Sequence, residues 1–363
     1  MVNNRLNKYL NKLSIVVLSY NKKLSLKALV NYWSKYPIEL IILDGSNKKI
    51  NLTKKNKHNP NFKLKYYHEP KSYSDRIKKA TYIVSREYSL LSADDEIHLP
   101  RGIARSIKFL ERNAEFNSSM GRCNLIYKTR NNLKIRKAYL KLEDVNTTQI
   151  HKNMEDRVFH YFNDYICATF YSVTRSHAWK INVRNSFSIS ISCPFAIERL
   201  FEFTNIAHGK CHVHNTVSWI RNGINPPVAD SGGVNKNLNR SNTLNRWMKM
   251  KSKSVKKEYD EIKKLMRNYG VQKENISFIF SHIFREPKKK QTLINQIRRF
   301  LMNRKILRKM IIIIRFFINL TLRNLFNKGK LKKIDNYLSL NNDEIYSINK
   351  FIFEEQGIIN QFN

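Results

Sequence analysis

The chain has 363 residues, 42% of them hydrophobic and 12% aromatic, a composition that excludes a disordered polymer and gives length for two domains or three. Its 67 Lys and Arg against 28 Asp and Glu leave a formal charge of +39, which draws it to polyanions: nucleic acid, an anionic membrane leaflet or phosphorylated ligands. Cys123, Cys167, Cys193 and Cys211 form no CxxC pair, which argues against a zinc cluster and a disulfide framework.

Residues 1–17 place polar side chains where a signal peptide needs an apolar core, and no uninterrupted apolar run reaches about 18 residues. The expected location is the cytoplasm, with any membrane contact made from its inner surface. "LSIVVLSY" (Leu13 to Tyr20) is a short β-branched run of the kind buried in a parallel sheet, and "KLSLKALVNYW" after it has a helical period. "IELIILDGS" predicts a second strand, "KLKYYHE" a third, "SDRIKKATYIVSR" a helix and "YSLLSA" a fourth strand. This rhythm predicts an α/β fold whose central sheet is mainly parallel and flanked by helices.

In such sheets ligands bind beyond the carboxyl ends of the strands. The polar residues there are Ser19, Tyr20 and Asn21, then Asp44, Gly45 and Ser46, then His68 and Glu69, then Asp94, Asp95 and Glu96. Three of these four strand ends carry acids in a chain that is otherwise basic. Crowded carboxylates repel one another unless something positive sits among them.

"LPRGIARSIKFLERN" predicts a helix led by Pro100, and Met120 to Leu142 predicts strands around a basic hairpin, "YKTRNNLKIRK". "NTTQIHKNMEDRVFHYF" is helical in pattern and "ATFYSVTR" is strand-like. "PFAIERLFEFTNIAHGK" suits a helix opened by Pro194 and closed by Gly209, and "KCHVHNTVSWIR" a further strand. The Pro- and Gly-rich "RNGINPPVADSGG" marks the end of the first unit. The division expected is therefore 1–235 and a basic, mostly helical region at 236–363. Between Pro287 and Ile334 there is no Asp or Glu, and Leu293, Ile297, Phe300, Leu307, Ile311 and Ile314 lie near one helical stripe. Such a segment either lies in the headgroup region of an anionic leaflet or packs on the rest of the chain.

The order "SIVVLSYN", "IILDGS", "LLSADDEIHLP" and "ERLFEFTNIAHGK...WIRN" resembles bacterial family-2-like glycosyltransferases of the GT-A fold, over roughly Lys12 to Asn222. The resemblance implies a catalytic domain at 1–235 that transfers sugar from a nucleotide-diphosphate donor to a glycan or lipid-linked acceptor, in bacterial surface polysaccharide synthesis. By it, Tyr20 and Asp44 contact the nucleobase, Asp94 the ribose or metal, Asp95 the divalent cation, and Glu198 is the catalytic base. This sequence departs from the family pattern at Glu96, where a third Asp is usual, at Leu18 and Ser19 in place of Pro and Thr, and at Lys22 in place of Arg.

The chemistry suits those residue types. Mg²⁺ or Mn²⁺ held by one or two carboxylates, with a diphosphate completing its shell, stabilises charge on a leaving phosphate; a solvated turn is the plainer account of Asp94 and Asp95. Asp44 in "LDGS" suits either a base contact or a cap on the turn that follows. Tyr20 suits either stacking on a base or cover for the sheet edge. Arg76 and Lys79 follow the third strand, where a positive charge reaches a diphosphate; a solvated helix face explains them equally well. Transfer to a hydroxyl needs a general base, for which Glu198, Glu202 one turn on, and Asp164 are the acids available. His98, His212 and His214 are set more readily into packing than into a metal shell. The competing classes are a nucleic-acid-binding protein, disfavoured because acids stand at the strand ends, and a non-catalytic glycan-binding module.

Overall fold

The computed structural model describes residues 4–52, 59–128, 133–138, 151–163, 169–223 and 240–284. A short helix α1 (Asn4–Leu10) leads into β1 (Leu13–Ser19), followed by α2 (Lys23–Trp33), β2 (Glu39–Asp44), β3 (Lys63–His68), α3 (Tyr73–Ile83) and β4 (Tyr88–Ala93). Every residue of β2 is buried, and β1 nearly so, which is why both read as unbroken apolar runs: helices cover the two faces. β3 is the edge strand, half-buried along its length and carrying Lys63 and Lys65.

The strands run in the order β3-β2-β1-β4, each pair parallel. β8 (Val173–Arg175) then pairs antiparallel with β4 and with β6 (Phe116–Lys128), which restores β6 to the direction of the first four. β9 (Lys210–Asn222) lies parallel to β6, while β5 (Ile97–His98) and β7 (Leu133–Lys137) run antiparallel to β9 and β6. Six of the nine strands among the described residues therefore share one direction. The sheet is mainly parallel and helix-flanked, as the chain's βαβ rhythm predicts.

The register sets the site. Ser19 pairs with Asp44 and Asp44 with His68, while Leu18 pairs with Ala93. Ser19, Asp44 and His68 thus end their strands on one level, and Asp94 opens the turn directly after β4. α4 (Pro100–Arg112), α5 (Met154–Asn163), α6 (Ser176–Phe187) and α7 (Pro194–His208) pack against the sheet and each other, and α8 (Arg240–Lys249), α9 (Lys253–Asn268) and α10 (Ile276–Phe284) follow.

Two sequence expectations are corrected. "ATFYSVTR" supplies only three residues of strand, β8, because Thr169–Tyr171 forms a single 3₁₀ turn. The residues after it, with no helix expected, form α6. Its inner stripe mixes Ala178, Trp179, Val183 and Phe187 with buried Asn182 and Ser186. Their long-range partners come from α7, Asn182 donating to Asn205 (3.1 Å) and Ser186 pairing with Thr204 (2.9 Å), while Ser186 also donates to the Asn182 carbonyl one turn back (2.7 Å).

The helices after residue 240 share a core with α7. Leu244, Trp247, Val255, Ile262, Met266, Ile279 and Phe280 cluster with Ala196, Leu200, Phe203 and Ile206. Among the described residues no helix is long and apolar enough to cross a membrane. Asp164, the Pro- and Gly-rich stretch from residue 224 and the acid-free segment 287–334 lie outside the described residues.

Candidate active site

The carboxyl end of β1 is built as a small polar knot. Ser19 donates from Oγ to Asp94 Oδ2 at 2.6 Å, linking the ends of β1 and β4. Asn21 has φ 55°, the left-handed region that asparagine tolerates better than most residues. That turn aims its N–H at Ser46 Oγ, 2.8 Å away. Asp44 is fully buried, and its Oδ1 accepts from the backbone N–H and hydroxyl of Ser46 while Oδ2 accepts from Tyr66 at 2.7 Å. Burial, with the bond to Asp44, pushes the Tyr66 phenol up to about 12, so it stays protonated and donating. Asp44 therefore stabilises the turn in which it lies, in the manner of a cap.

Arg76 reaches the same place from α3. It is 2% exposed; Nη1 donates to the carbonyls of Ser19 (2.7 Å) and Leu43 (3.0 Å), and Nε to that of Lys71 (3.1 Å). The guanidinium so ties the ends of β1 and β2 together. Gly45 is required beside it, since a Cβ there would stand 2.6 Å from the Arg76 guanidinium carbon. Lys79 faces Glu69 and lies 4.7 Å over the Tyr67 ring. Tyr20 follows directly on this knot and is half-buried.

Asp94, Asp95 and Glu96 occupy the turn between β4 and β5. β5 is pinned to β9, Ile97 opposite Ile220 and His98 opposite Trp219, and Leu99 N–H donates to Ser218 at 2.8 Å. Asp95 lies 3.9 Å from Lys22 Nζ, with a quarter of its side chain exposed. Glu96 is buried; Arg221 Nε stands 3.4 Å from Oε1, and Oε2 has no hydrogen-bond partner among the described residues. Burial pushes Glu96 up to about 8; Arg221 opposes this, and the charges of Asp95, Glu198 and Asp94 add to it. The fold thus brings Glu198, from the second turn of α7, close enough to act electrostatically on the acid turn. Glu202 is fully buried and accepts from Phe170 N–H at 3.3 Å, a packing role.

Among the described residues no group of three or more His, Cys, Asp or Glu is placed to hold a metal by itself. His98 is packed near Trp219 and Tyr171, its ring centroid 6.1 Å from each, and burial pushes it down to about 3. His212 stacks on Phe109 at 3.5 Å, and His214 pairs with Ser106 at 2.9 Å and is likewise pushed down to about 3, chiefly by burial. Both His98 and His214 are neutral in the fold but gain a proton when unfolded below the ordinary histidine value, so their contribution is present at neutral pH and is lost as pH falls below 6.5. Glu96, raised to about 8, opposes this by taking up a proton in the fold over the same range, so the test is a difference: in urea unfolding at pH 7 and pH 5.5, His214→Gln should lose less stability on acidification than wild type, by at most about 1.4 kcal/mol per pH unit. An unchanged slope in the variant would contradict the neutral, buried assignment.

Tyr66 and Arg221 join the site without having been singled out from sequence. No protein-family model matches the chain, and no curated protein matches it significantly. Among solved structures, S. aureus TarS 1–349 in complex with UDP is similar over 75% of this chain and 70% of that one, at 12% identity and TM-score 0.45. TarS 1–349 in complex with UDP-GlcNAc is similar over 75% and 81%, at 11% identity and TM-score 0.43. CMP:2-keto-3-deoxy-manno-octonic acid synthetase complexed with CTP is similar over 60% and 93%, at 10% identity and TM-score 0.32.

Proposed function

We propose that the chain is a nucleotide-sugar-dependent glycosyltransferase whose donor lies at the carboxyl ends of β1 and β4. The observation that carries this reading is the acid turn itself: Asp94, tied to Ser19, with Asp95 and Glu96 at the open end of a parallel sheet, and Glu198 on α7 adding its charge to that of Glu96. Acids placed where loops and helix ends converge suit a ligand site, and adjacent acids at a strand end suit a hard cation.

Asp95 and Asp94 offer oxygen donors only, the set that Mg²⁺ or Mn²⁺ takes, and one or two of them fit a cation whose remaining shell comes from a ligand. When bound, such a cation offsets the charge that develops on a leaving diphosphate. Asp94, steadied by Ser19, contacts the ribose in this reading. Tyr20 offers a ring to the base, while Asp44 and Arg76 hold the strand ends on which the donor rests. Lys22 and Arg221 bring positive charge to the acid turn, so that a diphosphate is not repelled there.

The acceptor is a hydroxyl of a glycan or lipid-linked glycan. Its oxygen bonds to the anomeric carbon as the bond to the diphosphate breaks, the bonding pair leaving with the phosphate and the hydroxyl proton passing to Glu198. A single displacement of this kind inverts the anomeric carbon. A panel of nucleotide sugars with Mn²⁺, read by released nucleotide, should give turnover with at least one donor. No release from any donor, with DNA retained on the protein in a salt-sensitive way, would favour the nucleic-acid class instead.

A further inference from the structure

α7 carries Glu198, yet its N-terminus has no cap of its own. Cys193 stands at the N-cap and makes no side-chain capping bond. The preceding residue is held from far along the chain instead. Glu258 of α9 is buried, and its Oε2 accepts from Ser192 N–H (3.2 Å), Ser192 Oγ (3.2 Å) and Trp247 Nε1 (2.8 Å). Trp247 belongs to α8, and its own carbonyl accepts from the Tyr259 hydroxyl of α9.

A second tie lies on the other side of the acid. Arg199, next to Glu198 and fully buried, donates through Nη1 to the carbonyl of Ile283 in α10. Glu198 is thus bracketed by two polar ties, both anchored in residues 240–284. Ile191, Cys193 and Ala196 pack in one cluster with Trp247, Val255 and Ile262, so the ties sit in a close-packed setting that resists small shifts. Burial pushes the Cys193 thiol above its ordinary value, and the charges of Glu198 and Glu258 act in the same direction. The two acids therefore address the first turn of α7 from different elements.

We propose that α8, α9 and α10 form the frame that positions Glu198, with Glu258 and Arg199 as its positioning residues. This rests on Glu198 being the base in the transferase reading. A base serves only within hydrogen-bond reach of its proton, and a displacement of about 1 Å from afar costs on the order of a hundredfold in rate. Buried acidic and basic groups need bonds to offset their loss of water, and here the bonds made hold the first two turns of α7.

The test uses the full chain with Glu258→Ala and Glu258→Gln, measuring steady-state transfer and amide hydrogen exchange. Glu258→Ala should lower kcat about tenfold or more with donor KM within roughly twofold, because the base moves while the donor groups do not. Amides between Ser192 and Glu198 should exchange at least about tenfold faster, with those of β1 and β4 unchanged. Glu258→Gln keeps an oxygen that accepts the same bonds and should restore most of both. Unaltered exchange and kcat in Glu258→Ala, a loss that Glu258→Gln fails to rescue, or exchange rising equally across the sheet would each overturn the proposal. Should the wild-type chain transfer no sugar, the transferase reading fails, and the local exchange pattern still decides whether this frame holds α7.

Discussion

Glu198→Gln should lower sugar transfer by about a hundredfold to ten-thousandfold, the range that general bases contribute, with donor KM changed by less than roughly threefold. Glutamine keeps the size and much of the hydrogen bonding of glutamate but cannot take the acceptor's proton. Glu198 stands on α7, outside the acid turn, while its charge reaches Glu96 there. Its replacement therefore removes the proton acceptor and leaves Ser19, Asp94 and Asp95 as they were. Glu202→Gln is the matched control: that side chain is fully buried and accepts from the Phe170 N–H. It should change stability rather than the split between kcat and KM. Transfer by Glu198→Gln within about tenfold of wild type would remove Glu198 from the role of base.

Asp95→Ala should reduce turnover of the donor, both hydrolysis and transfer, by at least about a hundredfold. Charge building on a leaving diphosphate is the largest electrostatic demand of the reaction, and Asp95 is the partly exposed acid of the turn. Folding should be nearly untouched. The Lys22 contact is 3.9 Å and both side chains are about a quarter exposed, a pair worth roughly 0 to 1 kcal/mol. The melting temperature should therefore stay within a few degrees while activity disappears. Retained turnover in a well-folded Asp95→Ala protein would rule out the metal role.

The parts legible in sequence are those determined by local pattern. β1, β2 and β4 announce themselves because burial on both faces demands apolar runs such as those at 15–18, 40–43 and 90–91, with only small or paired polar residues among them. Of the polar residues that close those runs, the parallel register brings Ser19 and Asp44 level, and Asp94, directly after β4, accepts from Ser19. α6 was not legible, since Asn182 and Ser186 interrupt its stripe, and the side chains that take them into the core, Asn205 and Thr204, lie on α7. The burial of Glu96 was equally hidden. It depends on β5 pairing with β9 and on Arg221, more than a hundred residues further along.

Arg76 shows a different limit. Its position after β3 suits a phosphate contact as well as a structural one, and only the coordinates place three of its bonds on the carbonyls of Ser19, Leu43 and Lys71. Glu258 illustrates the same point at longer range, because nothing near it in sequence foretells its bonds to Ser192.

The most direct test is calorimetric titration of a nucleoside diphosphate panel into the full chain, with Mn²⁺ and with a chelator in its place. The wild-type protein should bind only with the cation present, and binding should be lost in Asp95→Ala. Equal affinity with and without the cation, or no binding of any nucleotide, would contradict this expectation.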